Sequence, residues 1–185
     1  MVALVSQENI VALARTGRHL QRYSKGRRQV VGCIPYRYKI SQQASSVKDA
    51  KELQVLVISS QKGKGMLFPK GGWEKDESKK EAALRETMEE AGVRGVVEHE
   101  LGQWSFKSKT YDTYYDGYMF PLLVQEELDL WPEMDFRRRK WMSVSEAREV
   151  CQHWWMKEAL DILVSRMGSK PQHDEDQKVV PCSLS

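Results

Sequence analysis

Residues Gly71–Val93 read GGWEKDESKKEAALRETMEEAGV. Seven acidic residues lie between Glu74 and Glu90. On a helix, at about 100° per residue, Glu86, Glu89 and Glu90 fall within an arc of roughly 100°. Leu84, Met88 and Ala91 point the other way. The spacing therefore predicts one apolar face that buries and one face that presents three carboxylates. Carboxylates side by side repel, and at neutral pH the cluster costs free energy unless a cation sits among them. Hard oxygen ligands with no His or Cys nearby suit Mg²⁺ or Mn²⁺ rather than zinc. The bland alternative is a solvated, charged helix face. Asp76–Lys80 and Glu81–Arg85, each four residues apart, fit that alternative; the bunching of Glu86, Glu89 and Glu90 does not.

Physical roles follow by position. Gly71 and Gly72 allow the loop to approach a phosphate or metal closely. Glu77 lies near the helix start, where it can cap or pair with Arg85, and Arg85 reads as a clamp for that loop. Glu86 and Glu90, one turn apart, can hold metal together. Glu89 is placed to ligate a second metal or to accept a proton from attacking water. Gly92 ends the helix. From Gly71 the pattern is a glycine, five residues, Glu77, seven residues, then Arg85-Glu86-Thr87-x-Glu89-Glu90-x-Gly92-Val93. This closely resembles the box of the Nudix family, a loop–helix–loop motif of enzymes that hydrolyse a nucleoside diphosphate linked to another moiety, and related pyrophosphates. Every charged and glycine position matches; Thr87 departs, where the family usually has a larger aliphatic residue. The resemblance implies the same assignment of Glu86, Glu89 and Glu90. It adds the backbone carbonyl of Lys70 as a metal contact.

Composition bounds the remainder. The 185 residues are 41% apolar with net charge +3, enough for one domain with tails. From Met1 to Ile40 eight Lys or Arg stand against the single acid Glu8. A basic arm beside an acidic helix suits a polyanionic small-molecule substrate. Cys33, Cys151 and Cys182 have neither metal spacing nor a pairing pattern and read as reduced thiols of an intracellular protein. There is no run of membrane-span length and no secretory layout. A cytoplasmic or nuclear protein is expected, with the basic, partly helical Met1–Arg22 leaving organellar targeting open. Cys182-Ser-Leu-Ser185 fits a prenylation box, but Ser183 is a poor aliphatic and the flanking HDEDQK is acidic, so a chance tail is favoured over a weak prenyl anchor.

The chain divides into a basic extension over 1–26, a catalytic domain over 27–167 and a disordered tail over 168–185. Strands are expected at Gln29–Tyr38, with Pro35 marking an edge or bend, and at Leu53–Ser59, buried on both faces. Further strands are expected at Met66–Phe68, Gly95–Phe106, Thr113–Val124 and Lys140–Val144. Ser145 caps a helix, and a last helix over Gln152–Arg166 packs through Trp155, Leu160, Ile162 and Leu163. Strands before and after a central helix, with another helix at the end, indicate an α/β protein with a mixed sheet flanked by helices; the resemblance implies the Nudix fold, an α/β/α sandwich with a central mixed sheet.

The reaction expected is metal-assisted attack of water on phosphorus in a pyrophosphate, with Glu89 taking the proton. Lys70-Gly-Gly-Trp-Glu74, Gly26-Arg-Arg-Gln-Val-Val-Gly32 and Trp154-Trp155-Met156 look like a plant group of Nudix hydrolases related to diphosphoinositol polyphosphate phosphohydrolases. That resemblance implies substrate contacts from Arg22, Arg27, Arg28, Lys62, Lys64, Lys70, Lys107, Lys109 and Arg138. Singly, each is more often a solvated charge; their recurrence around one site favours a highly phosphorylated ligand, the inositol pyrophosphates first. Two departures, Lys70 for a glycine and Gln61 for an arginine, keep a diadenosine polyphosphate reading open, with Trp104, Tyr111 or Tyr114 stacking adenine. A binding module that senses polyphosphate or RNA without cleaving it is the reading of another class, against which the complete carboxylate set argues. No aromatic-and-basic surface motif calls for an obligatory nucleic acid. The oligomeric state stays open.

Overall fold

The computed structural model describes residues 19–40, 51–61, 63, 65–108, 112–169. In chain order the elements are β1 (Tyr23–Ser24), β2 (Arg27–Ile40), β3 (Lys51–Ser59), β4 (Met66–Leu67), β5 (Lys70–Gly72), α1 (Lys79–Ala91), β6 (Val93–Val97), β7 (Gly102–Lys107), β8 (Tyr114–Glu127), β9 (Arg139–Ser143), α2 (Val144–Val150) and α3 (Trp154–Gly168). The strands form one mixed sheet with β2 at its centre. β2 runs parallel to β8 over Arg28–Tyr36 and antiparallel to β5 and β3 on its other side. Alternation along β2 feeds two cores. Val31 and Cys33 face Ala82 and Ala83 of α1 with Phe120 and Leu122. Ile34 and Tyr36 join Trp155, Met156, Leu160 and Leu163 of α3. Helices on both faces of a mixed sheet make the expected α/β/α sandwich.

Four expectations shift. Pro35 lies in the central strand, not at an edge. Its missing N–H falls between the β5 ladder, which ends at Gly32, and the β3 ladder, which begins at Tyr36. The strand expected over Gly95–Phe106 is two strands laid end to end along β8. The break faces Pro121, which accepts from Glu98 N–H and has no N–H to return. Ser143, not Ser145, caps α2, because Glu146 stands three residues on and closes a capping box. Ile162 is exposed, and Ala159 and Met156 pack in its place.

The segment expected as an extension begins to pack before residue 26. Gln21 is buried and bridges Glu74, Arg22 N–H donates to the Trp73 carbonyl, and β1 pairs with the start of β2. The extension before residue 19 and the tail with Cys182 lie outside the described residues.

Candidate active site

The helix that carries the motif starts with a capping box. The Ser78 hydroxyl accepts from Glu81 N–H and the Glu81 carboxylate accepts from Ser78 N–H. It stops at Gly92, whose φ of 63° places it in the left-handed region and whose N–H donates to Met88 O. Its buried face differs from the expectation. Ala91 is buried as expected, but Leu84 is exposed, Met88 only partly buried, and the face against the sheet is Ala82, Ala83 and Thr87. Small side chains bring the helix close to β2, where the Cys33 thiol meets Ala83 O. Thr87 turns its hydroxyl back to Ala83 O at 2.7 Å, so no polar atom is left unpaired there. Glu89 and Glu90 are also buried.

Arg85 ties the motif together. It grips Glu77 with two nitrogens, at 2.7 and 2.9 Å, and donates to Gly72 O at 2.9 Å and to Glu86 Oε1 at 2.8 Å; Glu89 Oε2 is 3.5 Å away. Glu77 sits just before the cap residue Ser78 and holds the loop by accepting Glu74 N–H, rather than capping the helix itself. Gly71 leaves room for a carboxylate: a Cβ there would lie 1.9 Å from Glu86 Oε2, so the Glu86 side chain would have to move. Glu90 Oε2 accepts Lys70 N–H at 2.8 Å. Its other oxygen is held by Arg137, a buried guanidinium that also donates to Glu133 Oε2 at 2.5 Å and Ser59 O at 3.1 Å.

Burial drives the electrostatics. It lifts Glu86 to about 8, with Glu90 and Glu89 adding to the rise and Arg85 opposing it. It lifts Glu90 to about 7 against Lys70 and Arg137. A wall of carboxylates that resists ionisation fits a hard divalent cation, and the donor set is oxygen throughout. As the side chains lie, no three such groups among the described residues converge on one point: Arg85 draws Glu86 one way and Arg137 draws Glu90 another.

These carboxylates form one wall of a cleft of about 590 Å³. Of the cations expected to bind substrate, Arg28, Lys70 and Lys107 line it. Strand alternation turns Arg27 away, onto Ser105 and Asp116. Arg22 stacks on Trp73 and donates to Lys75 O, fastening the N-terminal segment to the motif loop. Arg138 is exposed, away from the cleft, and its backbone N–H donates to Ser59 Oγ. Lys62, Lys64, Lys109 and Tyr111 lie outside the described residues. Trp104 is in the core, bonded through its indole to Glu158, and Tyr114 lies over Arg27; neither lines the cleft. The aromatic wall is built instead by Phe106, Tyr115, Trp154 and Trp155. Sequence reading also missed Gln21, Glu133 and Arg137. The run Arg137-Arg138-Arg139 was the signal for the last, but nothing local tells which of the three turns inward.

A mixed sheet lies between helices, and the carboxylate-bearing helix lines a cleft together with basic and aromatic side chains, a setting suited to phosphoanhydride chemistry. A model of the NUDIX domain matches residues 43–163. The chain is 59% identical over 178 residues to "Nudix hydrolase 17, mitochondrial" of Arabidopsis thaliana, covering 96% of each. It is 33% identical over 108 residues to "Diphosphoinositol polyphosphate phosphohydrolase 3-alpha" of Mus musculus, covering 57% of this chain and 64% of that protein. Its fold is similar to that of a C. elegans Ap4A hydrolase binary complex, with TM-score 0.56, 19% identity, and 76% of this chain and 97% of that one covered. The chain belongs to the Nudix hydrolase family, whose members generally use a divalent metal ion, typically Mg²⁺.

Proposed function

We propose that this chain hydrolyses a phosphoanhydride bond in a highly phosphorylated small molecule, diphosphoinositol polyphosphates first. The observation that carries this reading is one cleft lined both by partly buried Glu86 and buried Glu89 and Glu90 and by Arg28, Lys70 and Lys107. Glu86, Glu90 and the Lys70 carbonyl are the groups that would hold Mg²⁺ or Mn²⁺, which when bound neutralises phosphate charge and acidifies water. Glu89 accepts the proton of the attacking water. Arg28, Lys70 and Lys107 hold the phosphates that do not react and steady the charge that develops. The mouse relative's name supports the inositol class. The aromatic wall supports the second reading, a dinucleoside polyphosphate whose base lies against Trp154, which is 54% exposed at the cleft. The name of the Arabidopsis relative favours an organellar address over a cytoplasmic or nuclear one. Among the described residues no helix is long and apolar enough to cross a membrane.

Phosphate release from a panel of diphosphoinositol polyphosphates, diadenosine penta- and hexaphosphate, ADP-ribose, NADH and nucleoside triphosphates, with Mg²⁺, tests the reading. Wild type runs beside Glu90→Gln. Turnover of the inositol compounds, lost in the variant, is the expected result. Turnover of the dinucleotides alone moves the aromatic wall to the front. Tight binding with no turnover of anything would make the protein a sensor and overturn the reading.

A further inference from the structure

The N-terminal segment is built into the motif loop. Trp73 N–H donates to Gln29 O of β2 at 3.0 Å, and from there the loop pairs with residues 20–22. Arg22 N–H donates to Trp73 O at 2.8 Å, Gln21 forms an antiparallel bridge with Glu74, and Lys75 N–H donates to Leu20 O at 2.9 Å. The Arg22 side chain locks this pairing, with its guanidinium 4.2 Å from the centre of the Trp73 ring and 3.2 Å from Lys75 O.

Gln21 does more than pair. It is buried, and it lines the cleft beside Gly71 and Gly72. Gly72 is buried although it has no side chain of its own. The three atoms that a Cβ at Gly72 would meet first all belong to the Gln21 amide, at 2.2, 2.5 and 2.8 Å. Gln21 therefore occupies the side-chain space of Gly72 as Glu86 occupies that of Gly71. Two successive glycines each make room for a side chain from another segment, one from the N-terminal segment and one from α1. The Gly72 carbonyl accepts from Arg85 at 2.9 Å, and the same guanidinium donates to Glu86 at 2.8 Å and to Glu77 at 2.7 Å. A hydrogen bond kept from water is electrostatically stronger than an exposed one. Contacts thus run without a break from Gln21 through Gly72 and Arg85 to Glu86.

We propose that Gln21 is a positioning residue of the active site: by packing on Gly72 it fixes the carbonyl that Arg85 grips, and through Arg85 it sets where the Glu86 carboxylate stands. Its effect on turnover rests on the hydrolase reading above. The working part of the chain then begins by Leu20 rather than at residue 27, and the segment over residues 20–24 belongs to the catalytic unit.

Gln21→Ala, Gly72→Ala and the double variant of the whole chain test it. Gln21→Ala removes the amide, and Gly72→Ala puts a methyl group where the amide lies, so each breaks the same contact. Steady-state kinetics with Mg²⁺ are read on whichever compounds of the panel above the wild type cleaves. Hydrogen–deuterium exchange over residues 70–77 and thermal melting are read on the same proteins without substrate. Gln21→Ala should lower kcat by roughly ten- to a hundredfold, the scale of a misplacement of about 1 Å, with KM little changed and exchange over residues 70–77 faster. Gly72→Ala should do the same, and the double variant should be no worse than either, because one shared contact is lost only once. Additive losses in kcat would make the two residues independent and overturn the proposal. So would a raised KM with kcat unchanged, the mark of a direct substrate contact, or a lowered melting temperature with kcat unchanged, the mark of a structural role alone. If the wild type cleaves nothing in the panel, the substrate reading fails by itself and exchange decides the rest: faster exchange over residues 70–77 in Gln21→Ala upholds Gln21 as the residue that holds the loop, and unchanged exchange overturns it.

Discussion

The carboxylate wall should make the metal-free protein lose stability as pH rises, opposite to the behaviour of an ordinary salt-bridged acid. Burial lifts Glu86 from 4.5 to about 8 and Glu90 from 4.5 to about 7. In the unfolded chain both titrate near 4.5. Above that pH the folded state keeps protons that the unfolded state has released, so stability falls as pH rises. The contribution is fully present below 4.5 and is lost as pH passes about 7 and then 8. At about 1.4 kcal/mol per pH unit, the two groups together span on the order of several kcal/mol, a large part of a typical total of about 5–15 kcal/mol. Urea denaturation in EDTA at about pH 5.5 and pH 8.5 reads the difference directly. The midpoint should be lower at the higher pH, millimolar Mg²⁺ should restore most of it, and Glu86→Gln should flatten the profile. A metal-free profile that is level or rises with pH, or a Glu86→Gln profile parallel to wild type, would refute the assignment of these carboxylates as desolvated acids awaiting a cation.

Arg137→Met leaves buried Glu90 and partly buried Glu133 without their guanidinium. It should cost about 3–5 kcal/mol, a fall in melting temperature of roughly 6–20 °C at about 2–4 °C per kcal/mol, and a wild-type melting curve would remove Arg137 as an anchor. Gly71→Ala forces Glu86 to move. Turnover should drop on the order of a hundredfold with the far-ultraviolet circular dichroism unchanged, and normal turnover would show that the 1.9 Å approach relaxes harmlessly. Glu89→Gln should lower kcat on the order of a hundredfold or more while keeping most of the rise in melting temperature that Mg²⁺ gives. Equal loss of both would make Glu89 chiefly a ligand.

The motif was legible because its chemistry is local. Arg85 reaches Glu77 and Glu86 along one loop and one helix, and Gly92 ends that helix by its own conformational freedom. Residues that meet across the fold were not. Leu84 was expected to bury because hydropathy is read one residue at a time, yet the helix packs through Ala82, Ala83 and Thr87, where the close approach of two backbones matters more than side-chain area. The basic residues were recognised as a set but not sorted. Arg27 and Arg28 are adjacent, and only the pleat of β2, fixed by its register with β8, decides that Arg28 enters the cleft. Arg137, Arg138 and Arg139 pose the same problem in the loop after β8. There Arg137 turns to Glu90, Arg138 stays exposed, and Arg139 caps the carbonyls of Ala91 and Gly92 and lies over Trp131.

Two arginines on separate segments explain how a self-repelling face can be held in place at all. Arg85 is anchored by Glu77 and the loop before α1; Arg137 is anchored by Glu133 and Ser59 from the far side. Each takes one oxygen of one carboxylate, Glu86 and Glu90 respectively, and Lys70 N–H takes the second oxygen of Glu90. The clamps therefore hold both carboxylates in place, each through one guanidinium-bound oxygen. The same anchors join the loop before α1 and the loop after β8 to opposite ends of one helix face.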